Sequence, residues 1–294
     1  VRVAILGCGY VGLELGQQLA DIGHDVIGVR RSDAGIDAIE TAGFDAVRAD
    51  LTDAASLSAV PDADWLVYAA SAGGRGVEAA RAAYVDGLRT VVETFTERPS
   101  QPDRLVYTSS TGVYGDHGGD WVDESTTPVP ATERQRVLLE AERVALADGR
   151  IDGTVVRFGG LYGPERYRLD YYLDGPVTEG YLNSIHRDDA AGAVTHLLET
   201  DRGRGEVVLA VDDEPVSKWA FADWLADECG RPHPPKRTVE ERAADGDVSR
   251  RVRANKRCAN DRLHELGYDL RYPTVRDGYR PAIDAFRRNR RPES

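Results

Sequence analysis

The chain is poor in lysine and cysteine and lacks any long apolar run. Lys218, Lys236 and Lys256 are the only lysines among 37 basic residues, set against 50 acidic ones, and the formal net charge is −13. With no basic stripe to displace counterions from a phosphate backbone, nucleic acid is excluded as a partner. Cys8, Cys229 and Cys258 are too few and too scattered for a disulfide framework or a zinc site. A reducing, cytoplasmic setting without a bound metal is therefore expected. No stretch approaches the ~18 apolar residues that cross a bilayer. The chain also starts directly on the strand-like VRVAILG without a cationic leader, so neither secretion nor membrane insertion is expected. An acidic, lysine-poor surface is similar to that of proteins from salt-accumulating halophiles. A genome rich in Arg codons would explain the arginines but not the acidity.

What is present is a folded α/β chain. Its 294 residues, 41% hydrophobic and 30% charged, suffice for a main domain and a smaller one. Short apolar runs (VRVAIL, DVIGV, DAVRAD, DWLVYAA, RLVYTSS) alternate with helical stretches such as Leu13 to Ile22 and Gly76 to Arg98. This β-α-β-α order predicts a Rossmann-like, doubly wound parallel sheet, and the near-continuous apolarity of the runs predicts strands buried on both faces. A helix is expected over Thr132 to Asp148, a sixth strand in GTVVRFGGLYGP, a further helix in IHRDDAAGAVTHLLE and a strand in GEVVLAV. Residues 1–160 read as the dinucleotide-binding domain, also receiving about 185–211. Residues 161–184 and 212–294 read as a small C-terminal substrate lobe whose YRLDYYLDGP and RPHPPKRTVEERAADGDVSRR stretches look like loops. In VSKWAFADWLADECG, Trp219, Phe221, Trp224 and Leu225 suit a buried helix face.

Directly after the first strand stands Gly7-Cys8-Gly9-Tyr10-Val11-Gly12, followed by a helix. Gly7 suits the tight turn, Gly9 close approach to a pyrophosphate and Gly12 helix packing, with helix amides as anion donors beside Tyr10 and Val11. The second strand ends in Arg30-Arg31-Ser32, not in the acid that would accept from a ribose 2′-hydroxyl. Two guanidiniums and a hydroxyl suit a 2′-phosphate, so NADP(H) is preferred and NAD(H) remains possible. Asp50-Leu51 would sit beside the adenine, and Ala69-Ala70 would let backbone lie against the cofactor.

Taken together, GCGYVG, ADLTD, LVYAAS, YTSSTGVYG, VVRFGGLYGP and IHRDDAAGAV resemble the extended and atypical short-chain dehydrogenases/reductases, including the NAD-dependent epimerase/dehydratase family of nucleotide-sugar enzymes. The resemblance implies that Ser110 hydrogen-bonds the substrate oxygen. It puts Thr111 and Gly112 where the dehydratases keep an acid pair, which disfavours dehydration. The family's Tyr-x-x-x-Lys acid/base pair falls on Thr132 and Arg136, and no Tyr-x-x-x-Lys occurs anywhere in the chain. A Thr hydroxyl does not exchange protons near neutral pH, while Arg136 keeps the charge that would hold the nicotinamide ribose. Tyr114, Tyr84, Tyr162, His117 and His186 are the candidate proton donors. Asn183 resembles the family's substrate-contacting Asn, and Arg166, Arg168 and Arg253 are available to a diphosphate. The resemblance thus implies an NADP(H)-dependent oxidoreductase or epimerase acting on a carbonyl or nucleotide-sugar-type small molecule, possible as a homodimer. The loss of the Tyr/Lys pair keeps open a non-catalytic NADP(H)-binding sensor or scaffold.

Overall fold

The computed structural model describes residues 1–74, 76–246 and 254–289. Seven strands form one parallel sheet: β1 (Arg2–Leu6), β2 (Asp25–Arg30), β3 (Asp45–Arg48), β4 (Trp65–Tyr68), β5 (Arg104–Ser110), β6 (Asp152–Phe158) and β7 (Val207–Ala210). Their order is β7-β6-β5-β4-β1-β2-β3, the doubly wound arrangement expected from the sequence. The chain direction of winding reverses between β1 and β4, which opens a crevice at the carboxyl ends of those strands.

The period of two along each strand builds two cores. Val3 and Ile5 pack with Val67, Val106 and Val156 on one face, under α1 (Tyr10–Asp21) and α7 (Arg187–Glu199). Ala4 and Leu6 pack with Leu66, Leu105 and Val155 on the other, under α4 and α5 (Glu133–Ala147). Each fully buried aliphatic side chain contributes about 1.5–3 kcal/mol, so the strands read as continuously apolar because both faces are covered. Here α2 is Asp33–Thr41 and α3 is Ala54–Leu57. Helix α4 comprises Val77–Arg81, a π-wound turn Ala82–Asp86 and Gly87–Thr96. The π turn has a local cause: the Tyr68 hydroxyl donates to the Ala83 carbonyl at 2.5 Å, drawing it out of the α ladder.

Beyond β6 a separate apolar cluster is built from Tyr162, Leu173, Val216, Phe221, Leu225 and Tyr279. It is carried by α6 (Leu169–Asp174), α8 (Lys218–Glu228) and α11 (Val275–Asn289), with α9 (Val239–Ala244) and α10 (Asp261–Glu265) between them in the chain. Two stretches read as loops are therefore partly helical. YRLDYYLDGP holds α6, whose Leu173 gains a partner in this second core, and TVEERAA holds α9, started by a capping box of Thr238 and Glu241. Arg250 and Arg251, at the end of the second stretch, and Arg253 lie outside the described residues. Phe221 and Leu225 are buried, while Trp219 and Trp224 are half-buried, the Trp219 indole donating to the Val177 carbonyl. Leu263, Leu266 and Leu270, in and after α10, join the sheet-side core, not the second cluster. Among the described residues no helix is long and apolar enough to cross a membrane.

Candidate functional site

A cavity of about 630 Å³ lies at the carboxyl ends of β1 to β4, where the winding reverses. That volume is in the range of small-molecule sites. Gly7 lines it, with φ +84°, and a Cβ there would lie 2.4 Å from the Ala70 Cα, so both conformation and space demand glycine. A Cβ on Gly12 would come within 3.1 Å of Ile5 Cγ2, which fixes how closely α1 can seat on β1. The twelve-residue α1 begins at Gly9 with no side-chain cap and no acid in its first turn, leaving its amino end open to an anion.

Arg30, Arg31, Ser32, Asp50, Leu51 and Ala70 all line this cavity. The Arg30 guanidinium lies over the glycine turn, its Nη1 2.9 Å from where a Gly9 Cβ would be. Arg31 is exposed and meets Asp50 at 3.3 Å. The Ser32 Oγ caps α2 by accepting from the Gly35 amide at 3.3 Å, and its hydroxyl hydrogen is left to donate. Asp50 is chiefly a turn former: its carboxylate accepts from the Thr52 amide and hydroxyl, which with Arg31 hold it below the usual carboxylate range. The parallel register sets Arg48 beside Arg30, and Arg48 donates to the Arg31 carbonyl while pairing with Asp33. This third guanidinium was not legible in the sequence, because only the β2–β3 register brings it there. Tyr10 is drawn the other way: its hydroxyl donates to the Pro164 carbonyl at 2.9 Å and the Arg166 guanidinium stacks 3.9 Å above its ring. Val11 is buried in the α1 face, and the Ala69 amide continues the ladder to Leu6.

Ser110 ends β5 and starts the turn Thr111–Tyr114, its Oγ accepting from the Gly112 amide at 3.1 Å. Thr111 is buried, its hydroxyl against the Cys258 thiol. Thr132, in the expected tyrosine position, is buried as the amino cap of α5, its Oγ1 accepting from the Gln135 amide. The Gln135 side chain then joins the two segments by donating to the Gly112 carbonyl at 2.7 Å. Arg136 is exposed in an ion pair with Glu133 on the outer face of α5 and does not reach the cavity wall in this structure. Arg134 does: its guanidinium meets the Gly74 carbonyl at 3.4 Å and the Tyr84 hydroxyl at 3.0 Å. The cap at Thr132 sets the phase of the helix and so puts Arg134 on this wall.

Four of the candidate proton donors are tied into structure. Tyr114 is fully buried, its hydroxyl donating to the Asp123 carbonyl at 2.7 Å and accepting from Arg157 Nη1 at 2.7 Å. Burial pushes its pKa up, so the catalytic assignment of Tyr114 fails on both geometry and acidity. Tyr162 is buried and stacked on Tyr279, its pKa also raised by burial. His117 holds the Tyr114 carbonyl through its ring at 3.0 Å. His186 caps α7, its Nδ1 accepting from the Asp188 amide at 3.2 Å, and burial pushes its pKa down to about 4. That makes it a stability group with a defined sign. Its folded pKa lies below the ordinary 6.5, so its contribution is present above about pH 6.5 and is lost as pH falls toward 4. The variant His186→Asn, which keeps a cap, is expected to flatten the denaturation midpoint against pH across that window; an unchanged slope would remove His186 from the balance.

Asn183 is also tied down: its Nδ2 donates to the Lys256 carbonyl at 3.0 Å and its Oδ1 accepts from the Cys258 amide at 2.6 Å. With both amide ends on backbone, Asn183 is a strap on the 256–258 segment, with one N–H and one lone pair of the amide remaining.

Fold, glycine turn and arginine-lined crevice define a Rossmann protein that binds a nicotinamide dinucleotide. The chain belongs to the NAD(P)H-binding family, whose model matches residues 7–201, and within it to the atypical short-chain dehydrogenases/reductases of epimerase/dehydratase type. It is 29% identical to Protein YeeZ of Escherichia coli over 283 residues, covering 92% of this chain and 96% of that one. A solved NAD-dependent epimerase/dehydratase-like protein of Methylobacillus flagellatus is 30% identical, with a TM-score of 0.78 over 97% of this chain and 98% of its own. The human epimerase family protein SDR39U1, solved with NADPH, shares the fold at 19% identity and a TM-score of 0.77, over 98% of this chain and all (100%) of that one.

Proposed function

We propose that the protein is an NADP(H)-dependent oxidoreductase or epimerase acting on a carbonyl, or the corresponding alcohol, of a small nucleotide-sugar-type molecule. The observation that carries this reading is the convergence of Arg30, Arg31 and Ser32 with Gly7 on one cavity of cofactor size. Gly7, Gly9 and the open start of α1 would hold the pyrophosphate, and the Arg30-Arg31-Ser32 group, supported by Arg48, would hold a 2′-phosphate. A bound nicotinamide supplies reversible two-electron exchange with a carbonyl carbon. The Ser110 hydroxyl, which accepts from Gly112 and keeps its own hydrogen, would donate that hydrogen to the substrate oxygen. Cys8, Cys229 and Cys258 are buried thiols, in keeping with a reducing compartment.

A second reading, an NADP(H)-binding sensor without turnover, is favoured by one observation: the Thr132 hydroxyl is spent as a helix cap. Absorbance at 340 nm over a panel of carbonyl and nucleotide-sugar compounds separates the two. For the enzyme, some compound changes NADPH absorbance, and Ser110→Ala lowers that turnover at least tenfold, about the 1.4 kcal/mol of one well-made hydrogen bond, with NADPH affinity unchanged. Tight NADPH binding with no turnover on any member of the panel would favour the sensor.

A further inference from the structure

The chain has very few lysines, and two of the three lie close together. Lys256 is only 5% exposed and Lys218 is half-buried at the start of α8. Among the described residues each ammonium has one hydrogen-bond acceptor, a backbone carbonyl at long range: Glu179 O at 3.3 Å for Lys218 and Gly115 O at 3.4 Å for Lys256. An ammonium carries three donors, so most of that capacity is unmet. Lys236, by contrast, is paired with Asp223 at 2.5 Å. Arg257 joins the pair from the next position, its Nε donating to the Gly119 carbonyl and its guanidinium 5.1 Å from both the Trp121 and Tyr181 rings. None of the three makes an ion pair with a carboxylate of the described residues, in a chain whose arginines are otherwise paired many times over and whose net charge is −13.

The walls between these cations are glycine. Gly119, at φ +88°, would press a Cβ to 3.3 Å from Asn255 Nδ2 and 3.5 Å from the Tyr181 ring. Gly180, at φ +109°, would press one to 3.1 Å from Lys218 Nζ. Gly119, with Gly115 at the end of the Ser110 turn, belongs to the part of YTSSTGVYGDHGG for which the dinucleotide cavity has no use. The place adjoins the turn that follows Ser110. Lys256 donates to the Gly115 carbonyl, Cys258 faces Thr111, and Asn183 straps the 256–258 segment down.

We propose that Lys218, Lys256 and Arg257 form a binding site for an anionic group of the substrate, a carboxylate or phosphate, whose remainder is thereby placed at Ser110. The inference rests on the reading of Ser110 as the reacting end of the cleft and adds to it the substrate class, an acidic metabolite. Unpaired buried cations are costly, and a bound anion removes that cost. In keeping with this, burial and the neighbouring Lys256 both lower the pKa of Lys218, and burial lowers that of Lys256 despite Cys258 and Asp116.

The test uses inorganic phosphate and malonate as probes, titrated calorimetrically at constant ionic strength into the full chain, with NADPH binding measured by fluorescence on the same samples. The wild type should bind at least one probe, and the stronger of the two identifies phosphate or carboxylate as the natural group. Lys256→Met and Lys218→Met should each weaken that probe at least tenfold and leave NADPH affinity unchanged. Binding of neither probe, or equal binding by the variants, overturns the inference. If NADPH binds while the probes do not, this site alone is lost. If NADPH itself fails, the cofactor reading is lost instead. Should the variants not fold, acylation of the wild type read by peptide mass spectrometry decides the matter. The probe should slow labelling of Lys218 and Lys256 relative to Lys236, and equal slowing or none counts against the site.

Discussion

Arg157→Met is expected to lower the free energy of unfolding by about 3–5 kcal/mol, the usual result of stranding one member of a buried ion pair. Arg157 on β6 and Glu142 on α5 are 5% and 4% exposed. Two guanidinium nitrogens meet the carboxylate, Nε to Oε1 at 3.0 Å and Nη2 to Oε2 at 2.6 Å, and Ser109 donates to the same Oε1 at 2.6 Å. The remaining Nη1 holds the Tyr114 hydroxyl. The network thus joins β5, β6 and α5 immediately beneath Ser110, and losing it leaves a carboxylate without its counter-charge in a dry interior. The pair itself need not be net stabilising against an apolar replacement. The double variant Glu142→Leu with Arg157→Met is therefore expected to recover most of the loss. Urea denaturation measures both, and a single variant within about 1 kcal/mol of wild type, the worth of a surface pair, would refute the argument.

The second large effect is on cofactor choice. Arg30→Ala combined with Arg31→Ala is expected to weaken NADPH about a hundredfold, which corresponds to some 2.7 kcal/mol for two charge-assisted contacts, and to change NADH by less than about threefold. Both guanidiniums line the cavity, and Arg31 is largely exposed, so its contribution should fall with added salt while that of Arg30, over the glycine turn, should fall less. Arg48 is left in place beside them and sets a floor to the loss. Equal weakening of both cofactors would mean that the arginines shape the glycine turn and do not read the 2′-position.

Much of this was legible in the residues, for identifiable reasons. Gly7 and the strand before it, the arginine pair after β2, and the two-sided apolar strands are local signals: each depends on the conformation or polarity of a few consecutive residues. The active-site side was harder. No Tyr-x-x-x-Lys occurs in the chain, but where α5 points was not written in residue types. It follows from the Thr132 cap and the packing of Val137 and Ala141 against the sheet, which turn Arg134 inward and Arg136 outward. Likewise Asn183, an amide suited to a substrate, is tied to backbone that arrives from more than seventy residues away.

By itself, then, the sequence determined the parallel α/β sheet, the dinucleotide turn and the absence of the usual proton-exchanging pair, because helix and strand periodicity, glycine conformation and side-chain chemistry are properties of short segments. Only the tertiary structure decided which charges keep company: Arg48 with Arg30, Arg157 with Glu142, and Lys218 with Lys256 and Arg257. Electrostatic interactions and hydrogen bonds act over a few ångströms in space, and that proximity is created when distant segments are packed together.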